Sequence, residues 1–257
     1  MNKLLIALAI SLAFAAPVEA RRATKQKPVP AFSAKSFLIA DEEGSVLKEQ
    51  ESDLVRPIAS ISKLMVGLLS SEQDLEERLL IPTTRTVQTT IPRKVESLSR
   101  RELLTLALVR SDNFAAQILC NNLPNCVEQM NAKALELGMS KTHYEEPTGL
   151  SKENVSTAND LLKLLLVAYR HPILGELSSM PNAEIPTDKK PIKVRNTNPL
   201  TSKFEILLSK TGYTNPAGGC LVMIMNSAVG KRILILLGSK NNKTRIPDME
   251  RLVKDLG

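Results

Sequence analysis

Two residues of this chain, Ser60 and Lys63, have the types and the spacing for nucleophilic chemistry. If a helix begins there, residues three apart lie on one face, and the lysine amine can take the proton of the serine hydroxyl. The stretch from Leu64 to Leu69 is almost entirely apolar, which predicts a buried helix that supports the pair and ends near Gln73. The pattern therefore predicts a serine nucleophile whose base lies on the same helical turn.

This spacing alone is weak evidence, because Ser45 and Lys48 are also three residues apart. That pair follows a tight turn in a strand-like stretch, where the two side chains would point to opposite faces. Two companion motifs favour Ser60 as the reactive serine. Ser111-Asp112-Asn113 lies in a break between two apolar helices, and Lys210-Thr211-Gly212 lies at the end of a predicted strand.

Taken in this order, the three motifs are those of class A β-lactamases and penicillin-binding proteins. With their flanks, and with Glu146-Pro-Thr-Gly-Leu-Ser151, they resemble the exported D-alanyl-D-alanine carboxypeptidases and endopeptidases, the low-molecular-mass penicillin-binding proteins. The resemblance runs from about residue 32 to about residue 254. Typical carboxypeptidases of this family have a further β-rich domain and an amphipathic tail. This chain stops soon after Leu256, so we expect the endopeptidase branch.

The resemblance also implies a role for each residue of the three motifs. Ser60 would attack a D-alanyl carbonyl with Lys63 as its base, and Ser111 would relay a proton to the leaving amine. Lys63 must be neutral to act as a base, which burial and a nearby cation such as Lys210 would both favour. The remaining implied residues bind the substrate (Asn113, Lys210, Thr211), allow its close approach (Gly212) and form the oxyanion hole with their backbone N–H groups (Ser60, Tyr213).

The order of the predicted elements indicates an α+β fold in which both chain ends build one antiparallel sheet around an inserted helical lobe. The resemblance implies the same architecture, that of β-lactamases and transpeptidases, with helices flanking the sheet. We expect the serine peptidase domain to span residues 32–257 and the helical lobe to span about 75–170. The predicted elements are a hairpin over 36–51, helices over 100–110, 124–138, 157–170 and 248–256, strands over 204–210, 220–228 and 231–239, and an irregular proline-rich segment over 171–199.

The first 20 residues have the pattern of a secretory signal peptide, with Lys3, an apolar run and the small-x-small cleavage site Val18-Glu19-Ala20. Residues 21–31 are basic and without pattern, which predicts a flexible lead-in. No later apolar stretch is long enough to span a bilayer, so we expect a protein of the periplasm or cell envelope. The net charge of +7 suits an anionic polymer, while the scarcity of aromatic residues argues against nucleic acid.

Neither a metal site nor a cofactor is expected. The two histidines, His143 and His171, have no ligand partner at metal spacing, which also argues against a Ser-His-Asp triad. Cys120 and Cys126 are close enough in sequence to form a small-loop disulfide in an oxidising compartment, although the spacing does not decide whether they do. If they pair, Cys220 is left unpaired, and we expect it to be buried in a strand.

The resemblance implies a serine D,D-peptidase that cleaves D-alanyl amide bonds of peptidoglycan peptides through an acyl-enzyme and is acylated by β-lactams. Cross-link endopeptidase activity is the first hypothesis, with carboxypeptidase activity as its alternative. Asp112 is also found in class A β-lactamases, which keeps that class open. Their second base belongs to a Glu-x-x-Leu-Asn loop, however, and the segment from Glu146 has its leucine at another offset. A catalytically silent wall-binding module is the third hypothesis.

Overall fold

The computed structural model describes residues 32–188 and 190–256. The predicted signal peptide (1–20) and lead-in (21–31) lie outside the described residues. The strands are β1 (Ser36–Ala40), β2 (Val46–Gln50), β3 (Arg56–Pro57), β4 (Arg78–Leu80), β5 (Ser97–Ser99), β6 (Val155–Ser156), β7 (Asn182–Ile185), β8 (Ile192–Arg195), β9 (Ile206–Thr214), β10 (Gly218–Ser227) and β11 (Gly230–Ser239). The helices are α1 (Lys63–Ser71), α2 (Arg100–Thr105), α3 (Asn113–Asn121), α4 (Cys126–Glu136), α5 (Ala158–Ala168), α6 (Pro172–Ser179) and α7 (Arg245–Lys254).

A five-stranded antiparallel sheet in the order β2-β1-β11-β10-β9 forms the centre of the fold. Two of its strands, β1 and β2, come from the first elements of the described chain, and the other three come from its last part. The predicted α+β architecture, with one sheet built from both chain ends, is therefore confirmed. The strand β9 is an edge of this sheet, so one side of its backbone faces away from β10.

The two faces of the sheet pack against different helices. Leu38, Ile235 and Val222 are neighbours across β1, β11 and β10, and they belong to the larger core shared with α1 to α6. The alternate residues, such as Leu236, pack against α7. Because side chains alternate along a strand, the register also places Lys210, the partner of Val222, on the face with the larger core. The sheet register therefore directs this lysine into the interior.

The helix α1 is enclosed by the rest of the protein. Its residues from Lys63 to Ser70 are all buried, and it contacts α3, α4, α5 and α6. The neighbouring α2 begins as predicted, with Ser99 and Glu102 in a reciprocal capping box. The helix predicted over 100–110 changes character after α2, where Leu106–Arg110 form a π-helical turn. Such turns within helices are frequent at functional sites.

The prediction of an irregular segment over 171–199 was wrong. This segment contains α6 and the hairpin of β7 and β8. Its prolines are compatible with these elements because Pro172 is the first residue of α6, where a missing N–H costs no hydrogen bond. The hairpin pairs Ile185 with Ile192, and both side chains are buried. The number of prolines therefore led to a wrong prediction for a segment that contains short regular elements.

The structure shows which cysteines are paired. Cys120 and Cys126 form a disulfide that closes the connection between α3 and α4, and Cys220 is free and buried in β10. Within residues 32–188 and 190–256, no helix combines the length and the apolar character needed to cross a bilayer.

Candidate active site

The predicted nucleophile and base lie at the junction of two kinds of helix. Ser60 is in a 3₁₀ turn, Ala59–Ser62, and Lys63 is the first residue of α1. A 3₁₀ turn has three residues per turn, so it aligns positions i and i+3 more closely than an α-helix does. Lys63 Nζ lies 2.8 Å from Ser60 Oγ as a result. The predicted contact is present, although the sequence suggested an ordinary α-helical turn.

Two glycines pack against the backbone of this turn from neighbouring segments. A Cβ atom on Gly149 would lie 2.7 Å from Ser60 N, and one on Gly212 would lie 3.1 Å from Ser60 N and 2.9 Å from Ile58 O. Ala59 itself has a φ of +48°, in the left-handed region that a residue with a side chain rarely adopts. The turn is thus held in a strained form by close backbone contacts. The lack of a side chain at Gly212 thus lets β9 pack closely against the nucleophile turn, Ala59–Ser62, in addition to the role in substrate approach that the resemblance implies.

Lys63 is fully buried, and three acceptors surround its amine. These are Ser60 Oγ, Asn113 Oδ1 at 2.8 Å and the carbonyl oxygen of Thr148. Burial lowers the pKa of Lys63 to about 7, while the carboxylates of Glu146 and Asp112 act in the opposite direction. Desolvation is therefore the main cause of the shift in this lysine.

A second lysine–serine contact lies across the site. Lys210 Nζ donates to Ser111 Oγ at 2.8 Å and to the carbonyl oxygen of Thr211 at 2.9 Å. Ser111 follows the π-helical turn and has a φ of +60°, which turns the chain sharply before α3. Burial lowers the pKa of Lys210 well below its usual value, and the nearby cations Lys63 and Arg245 lower it further. The sequence suggested that Lys210 ends a strand, but the structure places it within β9.

A family model described as D-alanyl-D-alanine carboxypeptidase matches residues 22–241 of this chain. The chain belongs to this family. Two curated relatives are named D-alanyl-D-alanine endopeptidase. The one from Escherichia coli is 38% identical over 96% of this chain and 85% of its own length. The one from Pseudomonas aeruginosa is 40% identical over 84% of this chain and 75% of its own. The resemblance to the endopeptidase branch is confirmed by these names.

A solved structure supports the assignment of the fold. Penicillin-binding protein D2 from Listeria monocytogenes, in its ampicillin-bound form, has a TM-score of 0.79 and 32% sequence identity. The match covers 89% of this chain and 98% of that one. The protein is thus a serine D-Ala-D-Ala peptidase with the fold of penicillin-binding proteins.

The structure brings together all the residues that the resemblance assigned to this family site. Ser60, Lys63 and Asn113 are joined by the bonds of the Lys63 amine, and Ser111 is joined to Lys210. Three further predicted residues follow Lys210 along β9: Thr211, whose hydroxyl lies 2.6 Å from the Thr197 hydroxyl, Gly212, which contacts the nucleophile turn, and Tyr213, which is 41% exposed.

Several residues that shape this site were not predicted from the sequence. Thr148 offers the carbonyl that contacts Lys63. Asn154 links the Thr148 loop to the Ser60 turn by donating to the carbonyl oxygen of Glu146 at 2.7 Å and to Ser62 Oγ at 2.9 Å. Arg245 donates to the carbonyl oxygens of Gly212 and Thr197, at 3.0 and 3.4 Å. Thr148 belongs to the Glu146–Ser151 motif, which indicated no role for its carbonyl, and no short motif marks Asn154 or Arg245. Arg245 was missed because the last helix was predicted to begin at residue 248, after this arginine.

The two carboxylates near Lys63 are bound within their own loops. Glu146 accepts from the backbone N–H and the hydroxyl of Thr148, both at 2.6 Å. Asp112 caps α3 by accepting from Ala115 N at 3.0 Å, and its other oxygen binds the loop before α2. Neither geometry is that of a second base directed at Ser60, which weighs against the β-lactamase alternative.

Proposed function

We propose that this protein is an exported D,D-endopeptidase that cleaves peptidoglycan cross-links, with Ser60 as its nucleophile and Lys63 as its base. The observation that carries the proposal is the 2.8 Å contact between Lys63 Nζ and Ser60 Oγ. Because burial lowers the pKa of Lys63 to about 7, a large fraction of this amine is neutral at neutral pH. A neutral amine has the lone pair that a base requires.

In the first step, Lys63 takes the hydroxyl proton of Ser60 while Ser60 Oγ bonds to the D-alanyl carbonyl carbon. The negative charge that develops on the carbonyl oxygen is stabilised by the backbone N–H groups of Ser60 and Tyr213. One such donor contributes about 2.7–4 kcal/mol to transition-state stability. The amide C–N bond then breaks, and Ser111 passes a proton to the leaving amine. Water hydrolyses the resulting ester and regenerates Ser60.

The substrate is held by the strand β9 and by α3. Lys210 and Thr211 bind the carboxylate next to the scissile amide, and Asn113 orients the peptide backbone. A carboxylate beside Lys210 raises the pKa of this lysine, which opposes the effect of burial and keeps the bound lysine charged. In a cross-link between diaminopimelate-type stems, the corresponding carboxylate lies beside the scissile amide, so the same groups serve an endopeptidase.

Acylation by β-lactams follows from the same geometry, because a β-lactam carbonyl opens onto the nucleophile to give a serine ester. Neither Glu146 nor Asp112 is placed to activate water against that ester, so we expect it to persist. The similar Listeria protein has been crystallised in an ampicillin-bound form, which supports β-lactam binding here. The signal-like start and the charge of +7 support a place in the periplasm, on the anionic cell wall.

The proposal is tested with a fluorescent penicillin and with purified muropeptides. We expect covalent labelling of the wild type and none of Ser60→Ala, while Ser45→Ala, the chance match to the motif, labels normally. Labelling of Ser60→Ala would contradict the assignment of the nucleophile.

The endopeptidase activity is tested by product analysis with cross-linked dimers and monomeric pentapeptide. We expect the dimer to be turned over faster, because the named relatives with the higher identities are endopeptidases. A several-fold preference for the pentapeptide would make the protein a carboxypeptidase, the alternative that the same catalytic groups allow.

A further inference from the structure

A small cavity adjoins Ser111, the proposed proton relay, and Lys210 is not among the residues that line it. It has a volume of about 160 Å³ and is lined by Gln88, Thr89, Thr90 and the segment 110–113. This volume is several times the roughly 30 Å³ that one water molecule occupies in the liquid. The cavity is therefore large enough for a charged group of a peptide substrate.

The walls of this cavity are fixed by Asp112, which is only 5% exposed. One carboxylate oxygen accepts from Thr89 Oγ1 at 2.9 Å, from Thr90 N at 2.6 Å and from Thr90 Oγ1 at 2.9 Å. The other oxygen caps α3 through Ala115 N. The negative charge of Asp112 is thus satisfied by its own surroundings. Its role is to hold the loop containing Thr89 and Thr90 against the catalytic segment.

The cavity also presents two exposed side chains, Arg110 and Gln88. Neither side chain makes a hydrogen bond or ion pair with any residue in the ranges 32–188 and 190–256. Arg110 ends the π-helical turn and directly precedes Ser111, so the fold fixes its backbone beside the catalytic centre. A guanidinium group with free donors binds a carboxylate through two parallel hydrogen bonds. The amide of Gln88 supplies a further donor.

We propose that Arg110 and Gln88 form a subsite for a second carboxylate of the peptidoglycan peptide, farther from the scissile amide than the carboxylate held by Lys210. This inference rests on the proposed function. A cross-linked dimer carries additional carboxylates on both of its stem peptides. One stem peptide acylates Ser60, and the other is the leaving group. The chemistry recognised is the same in either case, a carboxylate on a peptide.

The test compares wild type and Arg110→Gln on three synthetic cross-linked dimers. One dimer keeps all its carboxylates, and each of the others has primary amides in place of the additional carboxylates of one stem. For the first dimer, losing a charge-assisted hydrogen bond should raise KM about fivefold to tenfold, with kcat changed by less than about twofold. For the dimer amidated on the stem that Arg110 contacts, both enzymes should have the same KM. If amidation of one stem abolishes the difference in KM between wild type and Arg110→Gln, that stem carries the carboxylate that Arg110 binds.

Arg93→Gln is the matched control, because Arg93 is an exposed arginine of the same loop region that does not line the cavity. We expect its KM for every dimer to equal that of the wild type. Arg110→Lys, which keeps the charge, should recover part of the affinity, and the melting temperatures of all variants should agree.

Equal KM values for wild type and Arg110→Gln on the unmodified dimer would overturn the inference. Equal rises in KM for Arg110→Gln and Arg93→Gln would also overturn it, since the effect would then be that of net charge. The complete absence of dimer turnover by the wild type would instead overturn the proposed function, and the subsite with it.

Discussion

The active site contains two lysine–serine pairs with the same contact distance and different origins. Lys63 Nζ and Ser60 Oγ are 2.8 Å apart, as are Lys210 Nζ and Ser111 Oγ. The first pair comes from one helical turn, so local geometry creates it. The second joins the edge strand β9 to the break before α3, between residues 99 positions apart. It exists only when the sheet and the helices have packed together.

The surroundings of the two pairs also differ. Lys63 contacts neutral acceptors, including Asn113 Oδ1 and the Thr148 carbonyl, and nearby carboxylates partly oppose the effect of burial. Lys210 has cations as its electrostatic neighbours, Lys63 and Arg245. The backbone N–H of Ser60 also lies beside Gly212 of the edge strand β9, where we propose that the oxyanion binds. We therefore propose unequal roles for these equal contacts, with the first pair starting the reaction and the second returning the proton.

The largest effect is expected from the substitution Lys63→Arg, which keeps a positive charge in the first pair but cannot lose a proton. We expect the rate of acylation by penicillin to fall by about 10²–10⁴-fold, nearly as far as in Lys63→Ala. Stopped-flow or gel measurements of acylation would give both rates. Substantial acylation of Lys63→Arg would mean that this lysine acts through its positive charge alone.

A smaller effect is expected in the second pair. Ser111→Ala removes the proton relay and leaves the nucleophile and its base in place, so acylation should slow by about 10²-fold. The labelled adduct should still accumulate after long incubation, in contrast to Ser60→Ala. If Ser111→Ala never labels while its melting temperature is unchanged, Ser111 is as essential as the nucleophile and the proposed division of roles is wrong.

The smallest and most gradual effect is that of pH. Lys63 is a base only when neutral, and burial lowers its pKa to about 7. The acylation rate should therefore fall as the pH falls below 7, by nearly tenfold per unit well below the pKa, and should level off above it. A profile measured with penicillin under single-turnover conditions checks this. A midpoint near the usual lysine value of about 10.4 would contradict the assignment of Lys63 as the base.

The first pair was predictable from sequence because two residues three apart need only a helical turn to meet. The second pair was accessible only through the resemblance, since no periodicity relates Ser111 to Lys210. The backbone groups that support the two pairs could be predicted neither from spacing nor from the resemblance. Thr148 acts through its carbonyl, which every residue has, and the strained φ of Ala59 is imposed by the packing of neighbouring segments.

The fold was predicted more completely than its details. The order of the predicted elements, with strands at both ends of the chain, indicated the sheet, and the capping box at Ser99 marked the start of α2. The segment 171–199 was wrong because prolines were taken as breaks, although Pro172 starts a helix. Helix beginnings such as that of α7, at Arg245, depend on tertiary contacts that local propensity does not contain.

The pairing of β1 with β11 joins segments that are far apart in the sequence, so the central sheet can form only after both have been synthesised. Leu38 and Ile235 are direct neighbours in the sheet, yet they come from opposite ends of the described chain. Contacts between such distant positions close large loops and form slowly. During synthesis, Lys210 on β9 and then the central strand β11 emerge after Ser60 and Lys63. A chain that lacks these strands has a serine and a lysine on one turn but no sheet beside them, so we expect the hydrolase to be inactive until β9, β10 and β11 are in place.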